Sequence, residues 1–216
     1  SVYFGIGSNH DFSASIVQNG HINCAIEAER INRIKHSMNV FNPFHSTLKY
    51  LFSKSKNEIN SISTCNTLNL TNLKEYSNNI NLLDHHLCHA SAVFYTSPFE
   101  RAAILVIDGA GSRKQLKDGK YEFNTVSMYA GFGSRIKLIK KNVGEMEEST
   151  DEKHNHHLDI PNSLGIFYTY ITKIVGFDFL DDGKTMGLAS YGNSRSFYKD
   201  LMKYIEFSGD GFVRIK

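Results

Sequence analysis

Three histidines fall within the run Asp84-His85-His86-Leu87-Cys88-His89. On a helix, His85 and His89 stand at i and i+4, so both imidazoles share one face and can grip one ion. A zinc-protease helix needs Glu directly after its first His as general base. That position is His86 here, so the protease reading has no catalyst. The plainer alternative is a helix start that is rich in histidine by chance, and the density of the cluster favours metal. Asp108 closes the apolar run Ala102–Ile107 and precedes Gly109-Ala110-Gly111. A carboxylate at a strand end, followed by glycines, can hold a cation while backbone N–H groups approach phosphate. Asp-Gly is also an ordinary turn pair. Taken with His85 and His89, Asp108 makes a two-histidine, one-carboxylate set that suits Fe2+ and leaves positions open for a substrate.

Other segments carry weaker signals. Gly5-Ile6-Gly7-Ser8-Asn9-His10-Asp11 lies between two strand-like runs. Its small residues would let phosphate oxygens reach backbone N–H groups, with His10 as a general base and Asp11 orienting it. An ordinary hairpin loop is the competing reading. Glu27–His36 mixes both signs of charge. It is either a solvated, ion-paired segment or an anion clamp of Arg30, Arg33 and Lys35 with Glu29 holding one of them. Gly183-Lys184-Thr185 resembles the end of a phosphate-binding P-loop, but position 178 is Asp instead of Gly and no strand precedes it. The glycines through Gly187 and Gly192 still allow a helix N-terminus to meet a nucleotide phosphate. His154-Asn155-His156-His157 sits in a polar stretch and reads as surface first. No Gly-x-Ser-x-Gly elbow is present, so a serine hydrolase has no anchor.

The elements that must position these residues follow from periodicity. Val2–Gly7, Phe12–Gln18 and His21–Glu27 read as three strands, with Asn19-Gly20 marking a hairpin. Phe44–Lys56 has helical spacing at Phe44, Leu48, Leu51 and Phe52. Ile59–Cys65 and Ile80–Leu83 read as strands with a helix over Leu70–Tyr76 between them. His86–Tyr95 reads as a helix stopped by Ser97-Pro98. A second block opens with the strand Ala102–Ile107, then strands near Tyr121–Ala130 and Ser134–Lys141 and a mobile polar loop over Gly144–His157. Helices are expected at Ser163–Val175, Lys184–Ala189 and within Ser196–Phe207. The order strand, strand, strand, helix, strand therefore begins at residue 2 and begins again at 102, a structural repeat left incomplete.

Composition bounds the function classes. The chain has 216 residues, 41% hydrophobic and 21% charged, which suits a globular chain of one or two domains. A net charge of +2 argues against a nucleic-acid partner. There is no apolar run of about 18 residues and so no membrane helix, and the first residues lack a secretory leader. Three scattered cysteines suit reduced thiols, and a cytoplasmic location is expected.

Seven segments, in order, resemble the NodU/CmcH family of O-carbamoyltransferases: Gly5–Ser15, Glu27–His36, His85–Ala92, Ser97–Glu100, Ile107–Gly111, Asn162–Tyr168 and Met186–Gly192. Their spacing matches from residue 2 to about 192. The resemblance implies an α/β actin-like ATPase fold of ribonuclease H-like halves. Residues 1–100 would form the first half and 101–216 the start of a truncated second half. It implies transfer of a carbamoyl group from carbamoyl-adenylate, made from carbamoyl phosphate and ATP, to a hydroxyl of a small-molecule acceptor. By the motif match, His85, His89 and Asp108 would hold a divalent metal, Fe2+ ahead of Zn2+ or Mg2+. His10 would lie at the reaction centre. Gly7, Ser8, Gly109 and Gly111 would face phosphate, and Lys35 and Gly187 would line the nucleotide side. Full members of the family are much longer, so a C-terminal carbamoyl-adenylate-forming domain or a partner chain is expected to complete the reaction. The alternative is a metal- or nucleotide-binding module that needs such a partner for any catalysis. An unfinished sheet would also expose an edge to a second copy of the chain.

Overall fold

The strand Val2–Gly7 (β1) places Val2, Phe4 and Ile6 on one face, and all three are buried while Tyr3 is exposed. That alternation is the period of a half-buried strand. A computed structural model describes residues 1–7, 11–37, 43–54, 58–65, 73–74, 76–150, 156–160, 162–209 and 212–215. The chain divides into two units, Ser1–His85 and His86–Lys216.

In the first unit, β1 pairs antiparallel with Ser13–Gln18 (β2), which pairs antiparallel with His21–Glu27 (β3). The β2–β3 loop is Asn19-Gly20, both at positive φ (52° and 81°), the backbone a two-residue hairpin requires. A short helix Ala28–Asn32 (α1) and the helix Pro43–Lys54 (α2) lead to the strands Ser61–Cys65 (β4) and Ile80–Leu83 (β5). Strand β4 pairs parallel with β1, and β5 parallel with β4. The sheet order is β3-β2-β1-β4-β5, a mixed five-stranded sheet. Leu48 and Leu51 of α2 are buried with Phe4, Phe12, Ile16 and Ile62 in one core. The helix expected over Leu70–Tyr76 falls largely outside the described residues.

The helix His85–Tyr95 (α3) opens on the last residue of the first unit and otherwise belongs to the second, where Ala90 and Phe94 are buried with Ile104 and Val106 of the strand Arg101–Ile107 (β6) and with Tyr129. The long strand Tyr121–Phe132 (β8) pairs antiparallel with β6, with the short strand Arg113–Gln115 (β7) and with Arg135–Glu145 (β9). A Cβ on Gly131 would lie 2.6 Å from the Phe94 ring, so β8 keeps glycine where α3 crosses it.

The structure departs from the sequence pattern in three places. The polar stretch after Gly144 contains the strands Glu147–Thr150 (β10) and His156–Asp159 (β11), which pair antiparallel. Ladder hydrogen bonds join main chains, so such a hairpin needs no apolar alternation to form. Strand β7 was not anticipated, because Arg-Lys-Gln carries no strand signature. Within Ser196–Phe207 only Tyr198–Leu201 (α6) is α-helical, followed by a 3-10 turn at Met202–Tyr204. Ile205–Phe207 (β12) instead pairs with Val213–Ile215 (β13). Between these, Leu164–Ile174 (α4) and Asp182–Ala189 (α5) form as helices. Among the described residues no helix is long and apolar enough to cross a membrane.

Candidate metal centre

Helix α3 carries two neighbouring stripes with a spacing of four. His86, Ala90 and Phe94 form the buried stripe. His85 and His89 form the next one, His85 half-buried and His89 exposed. The apolar stripe seats the helix on the sheet, and that seating turns His85 and His89 toward the end of β6, where Asp108 follows Ile107. One ligand atom from each of His85, His89 and Asp108 lies within 4.8 Å of the others. Two imidazole nitrogens and a carboxylate oxygen at that spacing can close on a single divalent ion.

The Asp108 loop is held from several sides. The Asp108 N–H donates to the Thr125 carbonyl at 3.0 Å, and the Gly111 N–H to the Asn124 carbonyl at 2.8 Å. The Gly109 N–H donates to Asp108 Oδ1 at 2.7 Å. Asp108 Oδ2 then lies 3.7 Å from His86 Nε2 and 3.8 Å from His89 Nε2. The first turn of α4 closes the loop from outside. Ser163 Oγ caps that helix by accepting from the Ile166 N–H at 3.1 Å, and donates toward the Gly109 carbonyl at 2.7 Å. Gly165 packs so closely that a Cβ would fall 2.6 Å from the Asp108 carbonyl carbon.

His86 is the residue that sequence reasoning passed over, using it only to discard a protease. It is fully buried, and its Nδ1 lies 2.7 Å from Ser127 Oγ. A Cβ on Gly111 would sit 2.5 Å from its Nε2. Gly111 is therefore the glycine that makes room for this ring. The signal was present: Ala90 and Phe94 at +4 and +8 put His86 on the buried stripe.

The remaining candidates are distributed as follows. Ser8 and His10 lie outside the described residues. Gly7 ends β1 opposite Ser13, whose Oγ would be 2.7 Å from a Cβ at Gly7. Asp11, expected to orient His10, has its Oδ1 3.0 Å from His36 Nδ1. The two meet because β2 and the turn after α1 are tied together, with the Phe12 N–H donating to the Ser37 carbonyl. Arg30 pairs with Glu29 at 3.4 Å on the surface, and Lys35 is exposed in the following turn. A Cβ on Gly109 would meet Ile166 Cδ1 at an ordinary 3.6 Å, and one on Gly187, within α5, would meet nothing within 4 Å. Helix α5 begins with Asp182 after Asp181, and acidic side chains there oppose a phosphate. His156 and His157 open β11, and residues 154 and 155 lie outside the described residues.

A mixed α/β chain with a histidine pair and an aspartate converging at a strand end has the donor set of a candidate metal site. The particular family follows from comparison. Residues 46–212 match the carbamoyltransferase N-terminus family, and the chain belongs to it. It is 27% identical to nodulation protein NolNO of Sinorhizobium fredii over 95% of this chain and 31% of that protein. It is 29% identical to an uncharacterised protein of Methanocaldococcus jannaschii over 94% of this chain and 36% of that protein. Over 62% of this chain and 20% of that protein, it is 28% identical to nodulation protein NolO of Bradyrhizobium diazoefficiens. The chain thus spans about a third of the length of the relatives that cover it almost completely.

Proposed function

We propose that the chain is the metal-binding N-terminal part of an enzyme that moves a carbamoyl group from carbamoyl-adenylate to a hydroxyl of a small-molecule acceptor. The adenylate would be formed from carbamoyl phosphate and ATP. The observation that carries this reading is the convergence of His85, His89 and Asp108, in a chain of the carbamoyltransferase N-terminal family. The actin-like fold is supported by the sheet order β3-β2-β1-β4-β5, a meander followed by parallel strands, and by the antiparallel β6, β8 and β9 that open the second unit. We take the boundary of the two halves near residue 100 and the site as cytoplasmic.

The donors fit a divalent ion, with Fe2+ favoured over Zn2+ and Mg2+ by the two-histidine, one-carboxylate set. Such an ion, when bound, supplies positive charge for the oxygen that becomes negative as the carbamoyl carbonyl is attacked. The chain's own residues do the rest. An acceptor hydroxyl is a weak nucleophile, and His10 would take its proton during attack. The loops that carry Gly7, Ser8, Gly109 and Gly111 would face the adenylate phosphate as it leaves, with Lys35 and Gly187 on the nucleotide side.

A second reading is favoured by one surface. Ala103, Leu105 and Ile139 line an open apolar cavity on the outer face of the β6–β8–β9 sheet, with Leu105 and Ile139 more than half exposed. Exposed apolar faces of this kind are usually covered by further polypeptide. In this reading the chain binds metal but needs a carbamoyl-adenylate-forming domain or partner chain for turnover. The decisive experiment is elemental analysis of the purified chain, followed by a carbamoyl-transfer assay with and without that complement. About one equivalent of metal and transfer only with the complement support both statements. Absence of metal in the wild-type chain removes the site on which they stand.

A further inference from the structure

We propose that His86 is a positioning residue, one that aims the Asp108 carboxylate at the ion from a ring anchored by Ser127. The inference rests on the metal reading above and concerns only residues of the second unit. The ring of His86 is fully buried, an uncommon place for an imidazole unless its nitrogens are engaged. Nδ1 lies 2.7 Å from Ser127 Oγ, and Nε2 lies 3.7 Å from Asp108 Oδ2. The carboxylate favours one tautomer, since a hydroxyl can donate or accept and fits either. A neutral imidazole carries one N–H and one lone pair. A lone pair at Nε2 would face a carboxylate, whereas an N–H there is attracted to it. The Nε2–H tautomer therefore holds, and Nδ1 accepts the Ser127 hydroxyl proton. At 3.7 Å the N–H is beyond hydrogen-bond length from Oδ2, so it acts as a fixed dipole aimed at the carboxylate.

The surroundings keep that dipole still. Ser127 is itself buried in β8, where its register partner on β6 is Val106, two residues before Asp108. Gly111 presses on the same ring edge, since a Cβ there would lie 2.5 Å from Nε2 and 2.6 Å from Cδ2. The Gly109 N–H holds Oδ1 at 2.7 Å. One carboxylate oxygen is thus tied to the main chain, and the other lies between the buried His86 and the exposed His89 at 3.7 and 3.8 Å. Carboxylate ligands held in this way lose less freedom when an ion arrives, and removing such support weakens metal sites about 10–100-fold.

The test uses Co2+ alone as probe, read by equilibrium titration and by its visible absorption bands, on the purified chain. His86→Met fills the space without an N–H. His86→Gln restores an N–H donor near the Nε2 position. Ser127→Ala removes only the hydroxyl that anchors the ring. We expect His86→Met and Ser127→Ala to weaken Co2+ binding about 10–100-fold with altered bands. His86→Gln should recover most of the loss. A purely packing role predicts no rescue by Gln and no spectral change in Ser127→Ala. Should His86→Met not fold, Ser127→Ala decides alone. His85→Ala separates the two levels of the argument. Loss of Co2+ in His85→Ala with unchanged affinity and bands in the other variants overturns the role of His86 only. Unchanged binding in His85→Ala, or none in the wild-type chain, overturns the metal reading and this inference with it.

Discussion

Gly165, in the first turn of α4, sits against the main chain of Asp108, so close that a methyl group on it would fall 2.6 Å from the Asp108 carbonyl carbon. The helix and the ligand loop are therefore one packed object, and 57 positions of sequence separate the two residues. Gly165→Ala must displace one or the other. We expect a loss of about 1–3 kcal/mol in stability, the usual cost of overpacking, together with weaker metal binding. Urea unfolding and a Co2+ titration on the same preparation test this. Unchanged values in both would mean that the loop yields without moving its carboxylate.

His85→Ala and His89→Ala each remove one of two nitrogens from a three-donor set. Either change should take the metal content of the purified chain from about one equivalent to near zero. His89 is exposed, so its replacement should leave thermal stability of the metal-free chain almost unchanged. Elemental analysis and a melting curve in chelator read the two effects apart.

Phe4 lies in the middle of β1, 1% exposed, with its ring 4.8 Å from that of Phe52, which stacks on Tyr76 at 4.3 Å. Truncation to Ala leaves a cavity that the sheet cannot close. Phe4→Ala should cost about 3–5 kcal/mol, and Tyr3→Ala on the exposed face of the same strand much less. Comparable losses for the two would contradict the facing of β1.

Arg33 ends α1 with φ 60° and ψ 24°, in the left-handed region that glycine adopts without strain. Arg33→Gly should stabilise the chain by about 0.5–1 kcal/mol. The same change deletes a charge from the segment read as an anion clamp. A gain in stability with a fall in affinity for ATP would assign Arg33 to nucleotide binding, and a gain with unchanged affinity would leave it as a surface residue. Denaturation and nucleotide titration of one variant distinguish these.

Much of the first unit could be read directly. The alternation in β1, the Asn19-Gly20 turn and the spacing of Leu48 and Leu51 are local signals, and local physics decides them. The metal candidates were legible for the same reason, because i and i+4 on a helix are neighbours whatever the rest of the chain does. Harder to read were β7 and the β10–β11 hairpin, whose polar residues pair through main-chain bonds that side-chain patterns do not report. The contact of Asp11 with His36, 25 residues away, has no local signal at all.

By itself, the sequence determined the order of the strands β1 to β6, the family and the two-histidine face of α3. Each rests on residue types at short, regular spacings. Only tertiary structure decided that Asp108 meets that face, that Ser163 and Gly165 brace its loop, and that His86 stands behind its carboxylate. Those relationships join residues from 19 to 57 positions apart. They depend on which strands pair and which loop each helix meets, and no local pattern encodes that choice.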